Sequence, residues 1–357
     1  MNILFIFGQK LKLGGHFKSA KAFALELVDR GHNVFILINK DKGQNIFDSE
    51  NIKIINLRKF ISVPENSYIN KLSQLLQIFL IIIKYKINII HSQDRKNYKL
   101  GYYISSILKR KFFLTQAGGE FKFIKRSTKT KLIVYSKELV LGYKKIKKEN
   151  NIFLISERIN TNIYFPLKRE KEIDFLFLIR FDNDKIKWIN SFQIFIKHVE
   201  KLTSYTFNFT IAGNGNYKEY YFNQLKEIQK NSKNLKFNLL NEIIDENKLR
   251  EIINLSNYIC GNGRLLMEGM ACGIPAIIMG ENNEWDIINQ NNIEIISYYN
   301  FSGRHFRYNN PINQSLLLDS INNNKLKNEL SAFSYDYVKQ NLCFKTGVNK
   351  LLELYKN

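Results

Sequence analysis

Hydrophobic runs and helix-period segments alternate along the first half of the chain. Asn2–Phe7 is a continuous apolar stretch of the kind that is buried in a parallel sheet, and His16–Arg30 repeats apolar residues at helical spacing. The same alternation predicts further strands at Val34–Ile38, Ile52–Leu57, Asn88–His91, Phe112–Thr115, Leu132–Tyr135 and Ile152–Ile155, and helices at Tyr68–Tyr85 and Tyr98–Leu108. Strands that alternate with helices predict an α/β fold with a parallel, doubly wound sheet.

The pattern restarts near Asp174. It predicts strands at Phe175–Ile179, Phe207–Ala212, Leu235–Leu239, Tyr258–Cys260 and Ala276–Met279, and helices at Phe192–Leu202, Tyr217–Lys230, Glu246–Leu255 and Leu265–Cys272. A charged, aperiodic stretch, Lys168–Glu172, separates the halves after Pro166. We therefore expect two Rossmann-like domains, residues 1–166 and 167–340, that face each other across a ligand-binding cleft.

The charge of the chain is large and unevenly distributed. The net charge is +22; residues 1–165 hold 30 Lys and Arg against 11 Asp and Glu, whereas the remainder holds 24 against 21. The first half is therefore expected to meet an anionic partner. A membrane surface, an anionic glycan and nucleic acid all fit the charge, and an anionic membrane is favoured. No helix-turn-helix, zinc-finger or base-stacking signature supports nucleic acid.

Three sequence features bear on location. The apolar N-terminus, Met1–Phe7, lacks the basic region and cleavage site of a signal peptide. The longest apolar run, Leu75–Ile83, is short of the roughly 20 residues that span a membrane. Cys260, Cys272 and Cys343 show neither metal-ligand spacing nor a disulfide pattern. We expect a cytoplasmic protein, peripheral on the inner face of the cell membrane, with no metal site.

Loops of the predicted N-terminal domain are candidates for ligand contact. Gly14 and Gly15 lie between the first strand and the first helix, where glycine lets a phosphate or sugar approach the backbone; an ordinary turn is the alternative. His91 and Gln116 end predicted strands, and Gly118 follows the second of them. These three are candidates for contact with an acceptor or sugar, although a lone histidine is also common as a structural residue.

Two cations follow the first strand of the predicted C-terminal domain. Arg180 and Lys185 come directly after Phe175–Ile179. At the carboxyl end of a parallel strand, such a pair can hold a diphosphate. Local pairing with Asp182 or Asp184 is the plainer alternative.

Glycines and a carboxylate occupy similar positions further along. Gly213 and Gly215 follow a strand, and they suit either the close approach of a phosphate or an ordinary turn. Gly263–Leu266 opens a predicted helix whose first N–H groups would point at an anion. Glu268 lies one turn further in, where a carboxylate can accept hydrogen bonds from a ribose diol. A surface acid that complements the helix dipole is the alternative.

Together and in order, these segments resemble the motifs of group 1 glycosyltransferases of the family 4 type, which have the GT-B fold of two Rossmann-like domains. The resemblance covers nearly the whole chain and rests on Gly14-Gly15, Arg30-Gly31-His32, Ile159–Pro166, Arg180 with Lys185, Ile211–Gly215 and Glu268–Pro275. The last of these is the most specific. In this family a C-terminal helix returns to the first domain, so residues 341–357 are assigned to such a helix.

The resemblance implies a glycosyltransferase that moves a sugar from a UDP- or GDP-linked donor to a glycan or lipid-linked glycan. It further implies retention at the anomeric carbon, no metal and no cofactor, and a role in cell-surface polysaccharide, lipopolysaccharide or capsule synthesis. Arg180, Lys185 and Glu268 are the expected catalytic residues. The expected donor contacts are Gly15, Gly213, Gly215, Asn262, Gly263, Arg264, Leu265 and Glu268.

The chain departs from the family where the donor sugar is held. The family often has a glutamate eight residues before Glu268, and that position here is Cys260. Candidates to replace it are Asn262, Arg264, Asn282, Asn283 and Glu284. Arg304, in the unassigned motif Phe301–Arg304, is a candidate anion contact. Two other functions stay open: a nucleotide-sugar 2-epimerase-like enzyme on the same fold, and an inactive glycosyltransferase-like subunit that supports a partner.

Overall fold

The computed structural model describes residues 1–7, 14–39, 52–57, 68–95, 98–146, 151–168, 170, 172–308 and 314–357. The chain forms two compact units. Unit 1 comprises Met1–Arg158 together with Phe344–Asn357, and unit 2 comprises Ile159–Cys343. The boundaries therefore fall at 158/159 and 343/344, close to the predicted 166/167 and 340/341.

Unit 1 is built on a seven-stranded parallel sheet. Its strands are β1 (Asn2–Ile6), β2 (Asn33–Asn39), β3 (Lys53–Leu57), β4 (Ile89–Ser92), β5 (Lys111–Gln116), β6 (Lys131–Val134) and β7 (Ile152–Leu154). They are ordered β3-β2-β1-β4-β5-β6-β7, and every neighbouring pair is parallel. Since β1 and β4 are neighbours, the direction of winding reverses between them.

Helices cover both faces of this sheet, which is why its strands are almost wholly apolar. Numbered along the whole chain, they are α1 (Gly15–Asp29), α2 (Tyr68–Lys84), α3 (Tyr98–Ile107), α4 (Lys137–Ile146) and α12 (Phe344–Lys356). Helices α2, α3 and α4 pack on one face through a core that includes Ile78, Ile104 and Tyr143. Helix α12 packs against α1.

Unit 2 repeats the pattern on a six-stranded sheet. Its strands are β8 (Ile173–Leu178), β9 (Phe207–Ala212), β10 (Leu235–Leu240), β11 (Ser256–Gly261), β12 (Ala276–Met279) and β13 (Trp285–Ile287). The order is β10-β9-β8-β11-β12-β13, with only β13 antiparallel to its neighbour. Here the winding reverses between β8 and β11.

The helices of unit 2 pack on two cores, one on each face of the sheet. They are α5 (Ile186–Glu200), α6 (Lys218–Asn231), α7 (Glu246–Asn254), α8 (Arg264–Ala271), α9 (Ile293–Tyr298), α10 (Ser315–Asn322) and α11 (Asn324–Asn341), with short 3₁₀ helices at Asn183–Lys185 and Arg304–Tyr308. Asp245 and Asn323 cap α7 and α11, because each side chain accepts a backbone N–H of the first turn.

The predicted class, α/β with two largely parallel sheets, is confirmed. Six elements differ from the sequence pattern: α4, α9, α10, α11 and the antiparallel β13 are not predicted, and α5 begins at Ile186 rather than Phe192. Within the described ranges, no helix combines the length and apolar character needed to cross a bilayer. The same ranges contain no group of three or more His, Cys, Asp or Glu side chains that could hold a metal ion.

Candidate functional site

Unit 2 brings its predicted ligand residues to one edge of its sheet. Arg180 and Lys185 follow the carboxyl end of β8, and Asn262, Gly263 and Arg264 follow the carboxyl end of the neighbouring β11. In open α/β sheets, reversal of the winding leaves a crevice outside the carboxyl ends of the two strands, where ligands bind. These five residues therefore surround the position in unit 2 that is best suited to a ligand.

The guanidinium of Arg180 is held by two neighbouring carboxylates. Its Nη1 donates to Asp182 Oδ2 at 2.8 Å, and its Nη2 donates to Asp184 Oδ2 at 3.0 Å. This is the local pairing that the sequence left open. Because Arg180 is nearly half exposed and such pairs contribute only about 0–1 kcal/mol, little free energy opposes their exchange for a diphosphate.

Lys185 occupies a more enclosed position, at the end of the turn before α5. Its Nζ lies 4.5 Å from the centre of the Trp188 ring. Burial lowers the pKa of Lys185; Asp184 opposes the shift, and the positive charge of Arg180 adds to it. A partly desolvated ammonium group interacts more strongly with an incoming anion than a solvated one.

The motif Phe301–Arg304 supplies a third cation. Arg304 is buried, and its charge adds to the lowering of the Lys185 pKa that burial causes, whereas Glu281 opposes it. Both Arg180 and Arg304 thus lie within electrostatic range of Lys185. A group of cations at the ligand edge of the sheet is suited to a polyanion such as a diphosphate.

Backbone contacts fix this motif beside the start of α8. The N–H of Gly263 donates to the Phe301 carbonyl at 2.5 Å, and Trp188 Nε1 donates to the Ser302 carbonyl at 3.0 Å. Gly303 has a φ of +80°, and a Cβ there would lie 2.1 Å from a carbonyl oxygen at the end of β12. The motif that the sequence left unassigned therefore joins α5, β12 and α8.

Helix α8 carries a buried ion pair. Arg264 Nε donates to Glu268 Oε1 at 2.7 Å, and both side chains are less than a tenth exposed. Gly263 precedes the helix with a φ of +68°, and Leu265 packs against the core. Because the Gly263 N–H is used within the protein, the three N–H groups after it are those that the first turn directs at the crevice.

Glu268 lies among buried groups rather than on the helix surface. Burial, followed by the charge of Glu268, raises the pKa of Tyr164 well above its usual value. The same two causes raise the pKa of Cys272 to about 12. The alternative of a surface acid that complements the dipole therefore does not describe Glu268. A buried ion pair is costly to desolvate.

Gly213 and Gly215 have a packing role. A Cβ on Gly213 would lie 1.9 Å from the Ile179 carbonyl oxygen, and one on Gly215 would lie 2.6 Å from the Phe181 backbone. The N–H of Phe181 also donates to the Asn214 carbonyl at 2.8 Å. The two glycines bring the loop after β9 against the loop that carries the first two cations, so their closest contact is protein backbone.

Cys260, at the position where the resembled family often has a glutamate, lies inside the protein. Cys260 is fully buried within β11, and burial raises the pKa of its thiol. Asn262 is half-buried in the turn before α8. In the loop after β12, Asn283 has a φ of +65°, and Glu284 Oε2 accepts the N–H of Asn282 at 3.1 Å. Glu284 thus serves to order its own loop.

In unit 1, His91 is a core residue. Its Nδ1 lies 2.6 Å from the Tyr355 hydroxyl, and its Nε2 lies 2.7 Å from the Thr115 hydroxyl. Burial lowers the pKa of His91 to about 3, so the ring stays neutral. The expectation that this ring faces a ligand is corrected: both nitrogens are used to join β4 and β5 to α12.

The other unit 1 candidates lie nearer the surface. Gln116 Oε1 accepts the Tyr143 hydroxyl at 2.6 Å, and Gln116 Nε2 donates to the Lys122 carbonyl at 3.2 Å. Gly118 follows with a φ of +151°. Gly15 is exposed and is the first residue of α1.

Sequence reasoning missed two buried polar groups of unit 1. Nε2 of His16 and Nε2 of Gln93 are buried and have no hydrogen-bond partner among the described residues. His16 lies in the first turn of α1, and Gln93 directly follows β4, one of the two strands between which the winding reverses. An unsatisfied buried group costs about 1–3 kcal/mol, so both are candidate contacts for a hydroxyl-bearing ligand.

The sequence matches no family model and no curated protein. Solved structures match it over nearly its full length. A glycosyltransferase from Rickettsia africae shares 16% identity at a TM-score of 0.69, over 99% of this chain and 97% of that one. Anabaena HepE, solved with UDP and glucose, shares 12% at 0.67 over 99% of each chain. A mutant of S. aureus TarM, solved with fondaparinux, α-GlcNAc-glycerol and UDP, shares 12% at 0.67 over 100% of each. This likeness shows the fold, and the predicted GT-B class is confirmed.

Proposed function

We propose that the chain is a glycosyltransferase that moves a sugar from a UDP-linked donor to a hydroxyl group of a glycan. The observation that carries this proposal is the convergence of Arg180, Lys185 and Arg304 with the start of α8 at the edge where the winding of unit 2 reverses. Such an edge suits a nucleoside diphosphate. Structures of similar fold, HepE and TarM, were solved with UDP, which favours UDP over GDP.

In the proposed reaction, the bond between the anomeric carbon and the diphosphate oxygen breaks. A bond from that carbon to the acceptor oxygen forms, and the acceptor proton passes to a diphosphate oxygen. Arg180 and Lys185 stabilise the negative charge that develops on the leaving group. Glu268 accepts hydrogen bonds from the ribose hydroxyls. Retention and independence of metals are proposed from the resemblance to the family 4 type.

We also propose that unit 1 holds the acceptor, a precursor of a cell-surface glycan, at the inner face of the cell membrane. The support is the excess of 19 basic over acidic residues in residues 1–165, against an excess of 3 in the remainder. A basic surface raises the local concentration of an anionic or lipid-linked acceptor.

One observation favours a second candidate, an inactive subunit that binds a nucleotide without transferring sugar. Cys260 stands where the family often has the glutamate for the donor sugar, and it is fully buried. Nucleotide binding without turnover would be the signature of this candidate.

The test is release of UDP or GDP from a panel of nucleotide sugars, with and without glycan acceptors. We expect turnover of at least one UDP-sugar by the wild type and its loss in Glu268→Ala and Lys185→Ala. Lys187→Ala is the matched control, because this exposed lysine lies two residues from Lys185 on α5.

Thermal shift with nucleotides and analysis of the nucleotide sugar after incubation distinguish the alternatives. A thermal shift with UDP but no turnover would support the inactive subunit. Conversion of the nucleotide-bound sugar without any acceptor would support an epimerase. The absence of both turnover and a thermal shift with every nucleotide tested would contradict the proposal.

A further inference from the structure

Helix α2 has two apolar faces. One of them is buried in unit 1 through Ile78 and Ile82. The other carries five large apolar side chains that are each between 54% and 88% exposed: Tyr68, Leu72, Leu76, Leu80 and Ile83. Spacings of four and three residues place these five on a single stripe of the helix. A contiguous exposed apolar surface of this kind marks an interaction site.

Helix α3 extends the same surface. Tyr103 and Ile107 are both exposed, and α3 contacts α2 directly. The third helix on this face of the sheet, α4, exposes Leu141 and Ile146. In the described part of unit 1, every strongly exposed large apolar side chain lies on these three helices, and α1 and α12 of the opposite face contribute none.

The surface is also strongly basic. Residues 68–111 include nine Lys and Arg and one acidic residue, Asp94. Seven of the basic side chains are exposed: Lys84, Lys86, Arg95, Lys99, Lys109, Arg110 and Lys111. Lys99 lies four residues before Tyr103, on the exposed side of α3, and Lys84 lies at the end of the α2 stripe.

The combination of exposed apolar side chains and basic residues indicates which partner binds this surface. A second copy of the chain would bring two cationic surfaces together, and like charges oppose such pairing. An anionic bilayer offers both acyl chains for the stripe and negative headgroups for the lysines, as for helices that lie in a membrane interface.

We propose that α2 and α3 dock unit 1 on an anionic lipid bilayer, with Leu72, Leu76 and Leu80 inserted at the boundary between headgroups and acyl chains. The inference rests on the membrane part of the proposed function and not on its donor chemistry. Vesicle binding and UDP release are therefore measured on the same variants, so that failure of one proposal is distinguishable from failure of the other.

The first experiment is co-sedimentation with vesicles of phosphatidylcholine and of equimolar phosphatidylcholine and phosphatidylglycerol. We expect the wild type to bind the anionic vesicles only. The triple variant Leu72→Ser, Leu76→Ser, Leu80→Ser removes three leucines from the interface, so its binding should be about tenfold weaker or more. The matched control is Ile244→Ser with Leu318→Ser, because both of these exposed residues belong to unit 2. Thermal unfolding of the triple variant verifies that it folds.

Charge and insertion are tested separately. Lys84→Glu with Lys99→Glu should reduce binding to anionic vesicles, whereas Lys226→Glu with Lys233→Glu, exposed lysines of unit 2, should not. Leu76→Trp provides a probe of depth that does not depend on the triple variant. Its fluorescence should be quenched by brominated acyl chains, while the native Trp188 and Trp285 of unit 2 stay unquenched.

Three results would overturn the inference. They are equal binding to neutral and anionic vesicles, unchanged binding by a folded triple variant, and an unquenched Leu76→Trp. A dimer that forms without lipid and is lost in the triple variant would assign the stripe to a second copy of the chain instead.

Discussion

Units 1 and 2 share one winding pattern but present different surfaces. In the described residues, unit 1 exposes nine large apolar side chains on three helices of one face, and residues 1–165 hold 30 basic residues against 11 acidic ones. Unit 2 exposes seven such side chains, scattered over several elements, and its part of the chain is nearly balanced in charge. The same fold thus presents different surfaces, and surface residues rather than topology determine what a unit can bind.

The contrast is sharpest where the winding of each sheet reverses. In unit 1 this edge holds the unsatisfied ring of His16 and amide of Gln93, with the buried Asp94 close enough to His16 to affect its pKa. In unit 2 it holds Arg180, Lys185 and Arg304. Neutral donors and acceptors suit the hydroxyl groups of an acceptor, whereas cations suit the diphosphate of a donor. The following predictions test this division, from the largest expected effect to the smallest.

Glu268→Ala should be the most damaging change in unit 2. It removes the carboxylate from a buried ion pair with Arg264, and breaking such a pair costs about 3–5 kcal/mol in the free energy of unfolding. Urea unfolding measures this loss, with Glu294→Ala, an exposed acid of α9, as the control. Replacement of both partners by leucine should recover stability but not UDP binding. A loss below about 1 kcal/mol for Glu268→Ala would contradict the role of the pair.

Lys185→Ala should reduce kcat/KM about 100-fold by removing a charge from the leaving group, while Lys187→Ala should leave it unchanged. The binding form of Lys185 is the protonated one, and burial lowers its pKa below the ordinary value of 10.5. UDP affinity should therefore decline with rising pH below pH 10.5, earlier than for an ordinary lysine. In Lys185→Arg the decline should move to higher pH. If UDP affinity depended on pH in the same way in Lys185→Arg and in the wild type, a role for Lys185 in binding UDP would be contradicted.

His91→Phe should destabilise unit 1 by about 1–3 kcal/mol, since two buried hydroxyl groups lose their partner, and leave UDP affinity unchanged. The pKa of His91 is about 3 in the folded chain against 6.5 unperturbed, so between these values the unfolded chain binds the extra proton. The contribution of His91 to wild-type stability therefore falls as pH falls from 6.5 towards 3. Across this pH range, the free energy of unfolding should depend less steeply on pH in His91→Phe than in the wild type. Reduced UDP affinity in His91→Phe would contradict this structural role and indicate that His91 contacts the ligand.

Gln93→Leu should have the smallest effect on folding, a gain of up to about 1 kcal/mol, because it removes a buried amide nitrogen that has no hydrogen-bond partner. If this amide binds the acceptor, the KM for the acceptor should rise at the same time. Thermal unfolding and acceptor titration measure the two effects. An unchanged KM would remove Gln93 from the proposed acceptor site.

The sequence pattern predicts the order of strands and helices well, because burial in a parallel sheet requires long apolar runs. It misses α4, where five of ten residues in Lys137–Ile146 are charged or glycine, and the three-residue β13. It also misses α9, α10 and α11, the helices that follow β13. It also places Arg180, Lys185 and Glu268 in one unit and at elements that meet at one sheet edge. These predictions depend on local features, namely the position of a residue directly after a predicted strand or within a predicted helix, and such features can be recognised in the sequence.

Some residue roles could not be predicted from the sequence, because they depend on contacts with residues that are far away along the chain. His91 is satisfied by Tyr355, 264 positions away, so its core role is invisible in its own neighbourhood. Gly213 and Gly215 contact the loop after β8, more than 30 positions earlier, which explains a need for glycine without a ligand. The position of Phe301–Arg304 beside α8 likewise follows from the Gly263 contact and not from spacing.

Isothermal titration of the wild type and Lys185→Ala with UDP and with uridine is the most direct test of the central claim, that unit 2 binds a nucleoside diphosphate through its cations. The account predicts that the wild type binds UDP at least about tenfold more tightly than uridine, and that Lys185→Ala loses most of this difference. Equal affinity for UDP and uridine in the wild type, or a difference that survives in Lys185→Ala, would contradict it.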